Sequence, residues 1–501
     1  MKKLLCLLLV SCLLLPALTA CGTPGDETDG TSGATAAPVT EGETEDERLM
    51  CDLPDDLDYG GAAVHFIYSD NDGRRDELKS DGLEAGLISA TVYERNDIVQ
   101  NALHVDFDLI PADDAVLADT VSRDITSGTG EFDIVANGTY RSVTPAMEGK
   151  YLDLHRIDTI DTSKHYWTQG YNDIVTFTDN EYQFLASGPL AISMFRFVFL
   201  NLYNRTLLDE RQIPDLYETV RAGGWTLDYQ MSIIEGQYQD KDGDGKKSRG
   251  DFFGFVSGSA SSIDPYFVTS DIHLITKDPD SRALIYNADA LGPISDLADK
   301  VQLLYYNADT WIYQGAAEDW VTKTDNIIRH FTDGRAMMVT CLFYDMESRI
   351  EDLTPMSYGL VPLPKFDKTQ PAYHSYVQDQ VSCFGVSAVV GDEARQDMLG
   401  AVLELLSYHS YILIRPAYYD SVLSLRFMQD PESKEMLDLI FDTIDFDFCS
   451  TCRFIFSGVE LTLREIVTER GSRAASVTKR WQGSVEKALV KYNEQLDKLF
   501  S

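Results

Sequence analysis

The chain has 501 residues, 81 of them acidic against 42 basic, for a formal net charge of −39. That excess of carboxylate excludes nucleic acid and anionic lipid headgroups as partners, because binding phosphate needs concentrated Lys and Arg. At roughly 100–200 residues per domain the length also exceeds one compact core, so two lobes are expected.

Lys2 and Lys3, the apolar run from Leu4 to Leu15 and the small residues before Cys21 have the layout of a secretion signal over residues 1–20. The run is too short, and too soon followed by polar chain, to span a membrane. Leu18-Thr19-Ala20-Cys21 resembles the lipobox of bacterial lipoproteins. That resemblance implies cleavage before Cys21, acylation of its thiol, and an extracytoplasmic protein anchored to the cell membrane through the lipid. From Gly22 to Asp58 the chain is Gly, Thr, Ser, Ala, Pro and acid, with Asp26, Glu27, Asp29, Glu41, Glu43, Glu45, Asp46 and Glu47 set against Arg48. Too little apolar surface is available to offset ordering entropy, so 21–58 reads as a disordered acidic tether.

Beyond it, Ala63–Ile67 has the apolar density of a buried strand, Leu87–Leu103 the spacing of an amphipathic helix, and Val105–Ile110 and Phe132–Ala136 those of two further strands. Strands separated by helices imply parallel βαβ units in an α/β sheet, whose crevice lies at the carboxyl ends of the strands. Tyr140, just past the Asn137-Gly138 turn, is a candidate crevice residue on that ground. Later apolar runs, Ala191–Leu202, Ala336–Tyr344 and Val381–Val390, read as strands, and the tail from Glu393 as helical.

Asp240-Lys241-Asp242-Gly243-Asp244-Gly245-Lys246-Lys247-Ser248-Arg249-Gly250-Asp251 fits the twelve-position calcium loop. Asp240, Asp242 and Asp244 supply carboxylates at positions one, three and five, and Gly245 the turn at six. Lys246 offers its carbonyl at seven, Ser248 acts directly or through water at nine, and Asp251 closes the loop. Position twelve is Asp rather than the longer Glu, and Phe252-Phe253-Gly254-Phe255 is strand-like, so this is a loop without its second helix. A structural Ca²⁺ is the cofactor it implies. Of the cysteines, Cys51, Cys341, Cys383, Cys449 and Cys452 remain once the signal and Cys21 are set aside. The Cys449–Cys452 spacing has no second Cys/His pair to complete a zinc site, which leaves free thiols or a local disulfide.

An ordered set of short motifs carries a family likeness. Tyr93-Glu94-Arg95-Asn96, Phe132-Asp133-Ile134-Val135, Asp161 to Trp167, Gly188-Pro189-Leu190, Asn201 to Leu208, Gly224 to Asp228, Phe331 to Met338, Tyr358 to Lys365, and Ala417-Tyr418-Tyr419 with Asp430 to Ser433 together resemble the sugar-binding extracellular solute-binding proteins of ABC importers. The resemblance implies a two-lobed α/β fold of the class II periplasmic-binding-protein type, with three hinge crossings near Gly188–Ile192, Asp333–Met337 and Cys383–Ser387. On that basis residues 59–188 plus 337–383 form the N-terminal lobe, and 189–336 plus 384–501 the C-terminal lobe. It further implies a monomer that captures a small solute, a mono- or oligosaccharide, and hands it to ABC permease subunits in the membrane.

Sugar sites need aromatic platforms beside polar partners. Trp167, which precedes the first expected crossing, and Tyr344 with Asp345, which follow the second, join Tyr140 as cleft candidates. Trp225 begins a helix in the family pattern and is expected to pack there. An extracellular carbohydrate-active hydrolase is the rival reading, although no Gly-x-Ser-x-Gly, His-Glu-x-x-His, Walker or dinucleotide pattern occurs. A solute-sensing or adhesion protein on the same fold is the other.

Overall fold

The computed structural model describes residues 51–177, 181–278, 283–313, 320–349, 353, 357–423, 431–456, 458–469 and 474–499. The signal segment, Cys21 and the tether up to residue 50 lie outside them. Residues 51–58, expected as the end of the tether, are packed instead. Leu53 and Leu57 lie against the core, and Lys164 Nζ donates to Asp52 Oδ2 at 2.6 Å. Two leucines four residues apart make an apolar anchor that the average composition of the segment conceals.

Strand β1 (Ala62–Ser69), helix α1 (Leu87–Leu103), strand β2 (Val105–Ala112), strand β3 (Ile134–Gly138) and helix α2 (Thr139–Met147) follow in order. His104 ends α1 in the left-handed region, φ 49°, and its N–H bonds the Gln100 carbonyl, which turns the chain directly into β2. Both neighbours of β1 run parallel to it, Ala62 opposite Val105 and Phe66 opposite Ile134. Val64, Phe66, Ile67 and Tyr68 are buried. Near-continuous burial along a strand is what a parallel sheet covered on both faces requires.

A second sheet is made of β4 (Phe199–Asn204), β5 (Phe253–Gly258), β6 (Thr310–Tyr313), β7 (Ala336–Leu342) and β8 (Tyr358–Val361), in the order β6-β5-β7-β4-β8. β4 runs antiparallel to β7 and β8. Gly359 of β8 has to be glycine, since a Cβ there would meet the Tyr203 ring at 2.4 Å. Before β5, Thr226 caps the helix Leu227–Ile234, and Trp225 is fully buried with Nε1 donating to the Pro362 carbonyl at 2.8 Å, the packing role expected of it. The chain then returns to the first sheet as β9 (Ser382–Val386), antiparallel to β3, giving the order β9-β3-β1-β2.

This topology corrects the expected lobe boundaries. The first passage between sheets falls between Ala186, bridged to Phe384, and Phe199, where Gly188–Ile192 lies. Asp333–Met337 is no crossing. Gly334, φ 69°, turns the chain from helix α3 (Trp320–Thr332) into β7, and α3 packs on β7 of the second sheet. The return comes between Val361 and Ser382, so residues 337–361 belong with the second sheet, and Cys383–Ser387 lies in and just beyond β9 of the first. Helix α5 (Glu393–His409) packs on α1, whereas helix α6 (Pro431–Asp442) packs on β8, so the third passage lies between those helices. Here α4 denotes the short helix Phe343–Ser348 after β7. Apolar periodicity identifies a strand but carries no information about which neighbour it pairs with, which is why each run was recognisable and its sheet was not.

The five described cysteines are free thiols, with Cys341 on the second sheet and Cys383 on the first. Burial pushes the thiols of Cys341, Cys383, Cys449 and Cys452 above their ordinary range.

Candidate functional site

The parallel strands β1, β2 and β3 end at Ser69, Ala112 and Gly138, and the groups just beyond them form one hydrogen-bonded cluster. Tyr140, on the first turn of α2, donates its hydroxyl to Asp114 Oδ2 at 2.9 Å. Arg141 Nε donates to that hydroxyl at 2.7 Å and to Asp114 Oδ2 at 3.2 Å, its guanidinium 4.9 Å from the Tyr140 ring centroid. Ser69 Oγ donates to Asp114 Oδ1 at 3.2 Å, and Arg74 pairs with the same oxygen while its Nη1 donates to the Gln380 carbonyl at 3.2 Å. Gly138 makes room for this, since a Cβ there would sit 2.2 Å from Arg74 Nη1. Burial opposes ionisation of Asp114, but Arg74, the Tyr140 hydroxyl and Arg141 outweigh it and hold the carboxyl below its usual range.

A second ring packs on Tyr140 from the turn after the helix Phe448–Thr451. Phe454, 55 % exposed, sets its ring 5.7 Å from that of Tyr140. Beside it Arg453 Nη1 donates to Asp379 Oδ2 at 3.0 Å and its Nε lies 2.7 Å from Glu460 Oε1. The Asp379 carbonyl in turn accepts from Tyr140 N at 3.2 Å. Burial, only partly offset by Arg453, pushes Glu460 up to about 8 and raises Asp379. Neither Phe454 nor Arg453 was signalled in sequence; the one hint was a large aromatic next to arginine in a turn after Cys452. An aromatic pair flanked by charged hydrogen-bonding groups can stack on an apolar ring face and bond its polar edge.

The other cleft candidates lie apart from this cluster. Trp167 is only 2 % exposed and donates Nε1 to Glu404 Oε2 at 3.0 Å, while Tyr166 donates its hydroxyl to Glu404 Oε1 at 2.5 Å; Trp167 also lines a cavity of about 240 Å³ with Pro189, Met194, Tyr411 and Arg415, beside the first passage between the sheets. Asp345 is buried and accepts from Leu342 N at 2.9 Å, so its carboxylate caps α4 rather than facing a ligand. Tyr344 is half-buried and packs edge-on against Phe197, ring centroids 6.2 Å apart, close to Arg196. Among the described residues no hydrogen bond or ring contact joins Tyr140, Trp167 and Tyr344.

In the acidic loop, one carboxylate oxygen from each of Asp240, Asp242 and Asp244 lies within 4.8 Å of the others, and all three residues are exposed. Asp240 accepts from Gly243 N at 2.7 Å and Gly245 N at 2.8 Å, Asp242 from Asp244 N at 3.1 Å, and Asp244 from Lys246 N at 2.7 Å. Gly243 and Gly245 both adopt φ 73°, which explains their glycines. Asp251 does not join the group. It is fully buried, with Oδ1 accepting from Lys241 N at 2.9 Å and Oδ2 from Ser248 N at 2.7 Å and from the Tyr238 hydroxyl at 3.3 Å. The shorter Asp side chain closes the loop through its own backbone, and Ser248 Oγ likewise accepts from Gly250 N at 3.0 Å. The Asp244 amide pulls Asp242 down, yet desolvation and the neighbouring Asp244 and Asp251 charges prevail and raise it. A cation among the three carboxylates would relieve that repulsion.

No protein-family model matches the chain, and no curated protein matches it in sequence. Solved structures match in fold. A sugar transporter from Rhizobium etli, in an open conformation, is 14% identical at a TM-score of 0.57, with 85% of this chain and 99% of that one covered. The sugar-binding protein MalE of Xanthomonas citri is 10% identical at 0.56, covering 87% and 99%. An ABC transporter solute-binding protein from Thermotoga lettingae, bound with α-D-tagatose, is 10% identical at 0.51, covering 86% and 100%. At such identities the likeness is one of fold, and the chain has the mixed α/β, periplasmic-binding-protein-like architecture.

Proposed function

We propose that the chain is the substrate-binding lipoprotein of an ABC importer, capturing a mono- or oligosaccharide beside the Tyr140–Phe454 aromatic pair and delivering it to permease subunits. The observation that carries this reading is the aromatic pair itself: one ring at the carboxyl end of a parallel sheet, one exposed ring packed against it, and Arg, Asp and Tyr donors and acceptors around both. Support for a sugar comes from the proteins that share the fold, which are a sugar transporter, a sugar-binding protein and a solute-binding protein bound with α-D-tagatose. Among the described residues no helix is long and apolar enough to cross a membrane, and in this proposal anchoring falls to an acylated Cys21, so labelled palmitate should enter the protein and fail to enter Cys21→Ala.

The solute assignment is tested by thermal shift across saccharides, amino acids, peptides and polyamines. A ligand at 100 times its Kd stabilises the native state by about 2.7 kcal/mol. A saccharide should raise the melting temperature of the parent, and Tyr140→Ala should lose most of that rise while melting close to the parent without ligand. A response to peptides or polyamines alone would remove the sugar assignment.

The acidic loop is proposed to hold a structural Ca²⁺ through Asp240, Asp242 and Asp244, with the Lys246 carbonyl and water completing the shell in place of Asp251. Calorimetry with Ca²⁺ against Mg²⁺ tests it. Heat with Ca²⁺ that vanishes in Asp242→Ala is the expected result, and a parent indifferent to Ca²⁺ and to chelation would withdraw the site.

A further inference from the structure

We infer a second binding site at the hinge, apart from the Tyr140–Phe454 pair: a cavity that takes one neutral hydroxylated ring, a monosaccharide or cyclic polyol. The cavity measures about 240 Å³, below the roughly 300–1,000 Å³ that holds a drug-sized molecule, so a single ring fills it. Four aromatic side chains line it, and they come from separate parts of the chain. Trp167 precedes the first passage between the sheets and Phe195 lies on it, while Tyr411 lies on the third passage and Phe441 at the end of α6. Ile444, which also lines the cavity, pairs with Ser375 of the second passage. Tyr140 and Phe454 take no part in its walls.

Two features turn this space into a site. Tyr411 lies on a π-helical turn, Ser410–Ile414, that continues α5. The extra residue in such a turn rotates every later side chain by about 100°, and π turns persist mostly where function needs side chains re-aimed. Buried Arg95 donates Nη1 to Ser410 Oγ at 3.1 Å, and Ser410 Oγ donates to the Leu406 carbonyl at 2.6 Å, which fixes the start of the turn. Tyr411 and, just beyond the turn, Arg415 are thereby brought to the cavity wall. The second feature is an ion pair left open. Arg415 Nη2 stands 3.6 Å from Asp442 Oδ1, too far for a hydrogen bond, and both residues line the cavity. The Arg415 guanidinium rests beside two rings, 5.3 Å from the Tyr411 centroid and 5.9 Å from that of Tyr419, which restrains it from closing the gap. A hydroxyl both accepts and donates, so one ring hydroxyl completes the pair by accepting from Arg415 and donating to Asp442. The pair sums to zero charge, so the fitting ligand is neutral: an anion would confront Asp442 and a cation Arg415. The surrounding aromatic rings receive the apolar face of the same ring.

Calorimetry on the full chain tests this with glucose, galactose and inositol, with indole as a flat apolar ring and glucuronate as an anion. Tyr140→Ala should retain a weaker binding event for one of the neutral ring compounds. In that background Asp442→Ala, at an exposed position, should weaken the retained event about tenfold or more, the worth of a hydrogen bond to a charged group. Ile444→Phe should abolish it by filling the cavity, without lowering the ligand-free melting temperature. No neutral ring compound binding to Tyr140→Ala, retained binding unmoved by both cavity variants, or indole or glucuronate binding there in preference to the neutral rings would each overturn the inference. If Tyr140→Ala instead bound saccharides as tightly as the parent, the reading of the Tyr140–Phe454 pair would fall and the hinge site would stand.

Discussion

Replacing Glu77 by alanine should destabilise the protein by about 2–4 kcal/mol, whereas Glu77→Gln should be near neutral at about pH 4 and increasingly stabilising from there to pH 7 and above. Glu77 lies in the turn after β1 and is 3% exposed. Its Oε1 accepts from Ser193 N at 2.7 Å and Ser193 Oγ at 2.5 Å; Ser193 Oγ accepts from Ser382 N at 2.9 Å, and Ser187 Oγ donates to the Ser382 carbonyl at 2.6 Å. Ser187 and Ser193 lie on the first passage between the sheets and Ser382 at the end of the second, so this carboxyl ties both passages to the rim of β1. Alanine strands two buried donors, each costing about 1–3 kcal/mol. Glutamine keeps an acceptor without a titrating charge.

The pH arm follows from burial, which pushes Glu77 up to about 7 against the opposing donors Ser193 and Ser382 and the Arg74 charge. A carboxyl whose folded pKa is raised holds its proton more tightly in the folded chain. The stability gained that way is complete below the unfolded value of about 4.3 and is lost as pH rises through 7. Burial acts in the same sense on Glu404, pushed up to about 7, and on Glu460, up to about 8. His330 opposes them: burial pushes it down to about 4, so its contribution is lost as pH falls from 6.5. Burial also lowers His409, as it does His330, whereas Asp271 and Asp447 overcome burial and hold His273 up to about 10, so its contribution too is lost as pH rises. The three carboxyls with His273 outweigh the two lowered imidazoles and make the parent more stable at pH 5.5 than at pH 8, and Glu77→Gln should reduce that slope. Urea midpoints at those two pH values decide it; a parent more stable at pH 8, or an alanine variant matching the parent, would refute the buried-carboxyl account.

Much of the first sheet was legible because a parallel strand buried on both faces must be written as an apolar run; Ala63–Ile67, Leu87–Leu103 and Val105–Ile110 fall on β1, α1 and β2. The place of Tyr140 just past β3 was legible for a related reason, since position after a parallel strand is topological information carried by order alone. Phe454 and Arg453 were not, because they reach Tyr140 from a turn more than 300 residues away, and no local pattern marks an exposed aromatic as packing on another. Asp345 was misplaced by the same limit. A helix-capping aspartate has the composition of a sugar-site residue, and only its neighbour Leu342 tells them apart. The acidic loop sits between these cases: its glycines and first three acids follow from local geometry, whereas the inward turn of Asp251 depends on Tyr238, outside the motif.

Arg196→Met should cost about 2–4 kcal/mol and also weaken solute binding, although Arg196 lies outside the Tyr140–Phe454 crevice. Arg196 is 4% exposed on the short helix of the first passage, and its guanidinium grips two carboxylates on rims of different sheets. Nη1 and Nη2 donate to Asp76 at 2.5 and 2.9 Å, in the turn after β1, while Nε and Nη2 donate to Glu347 at 2.9 and 2.8 Å, on α4 after β7. Methionine leaves the two acids facing one another unpaired. Because each is about a third exposed, water recovers part of the loss, which keeps the cost below that of a fully buried pair. Lysine should recover less than half, since an ammonium cannot span two carboxylates as a planar fork does. The binding effect comes from population: if the arginine holds the two rims together, its loss lowers the fraction of molecules in the binding-competent arrangement and raises the apparent Kd by the inverse of that fraction. Asp76→Asn with Glu347→Gln should reproduce the affinity loss at smaller stability cost, because it removes the grip without leaving like charges opposed. A methionine variant with parental midpoint and parental Kd would mean that solvated acids, not the bridge, set the spacing of the rims.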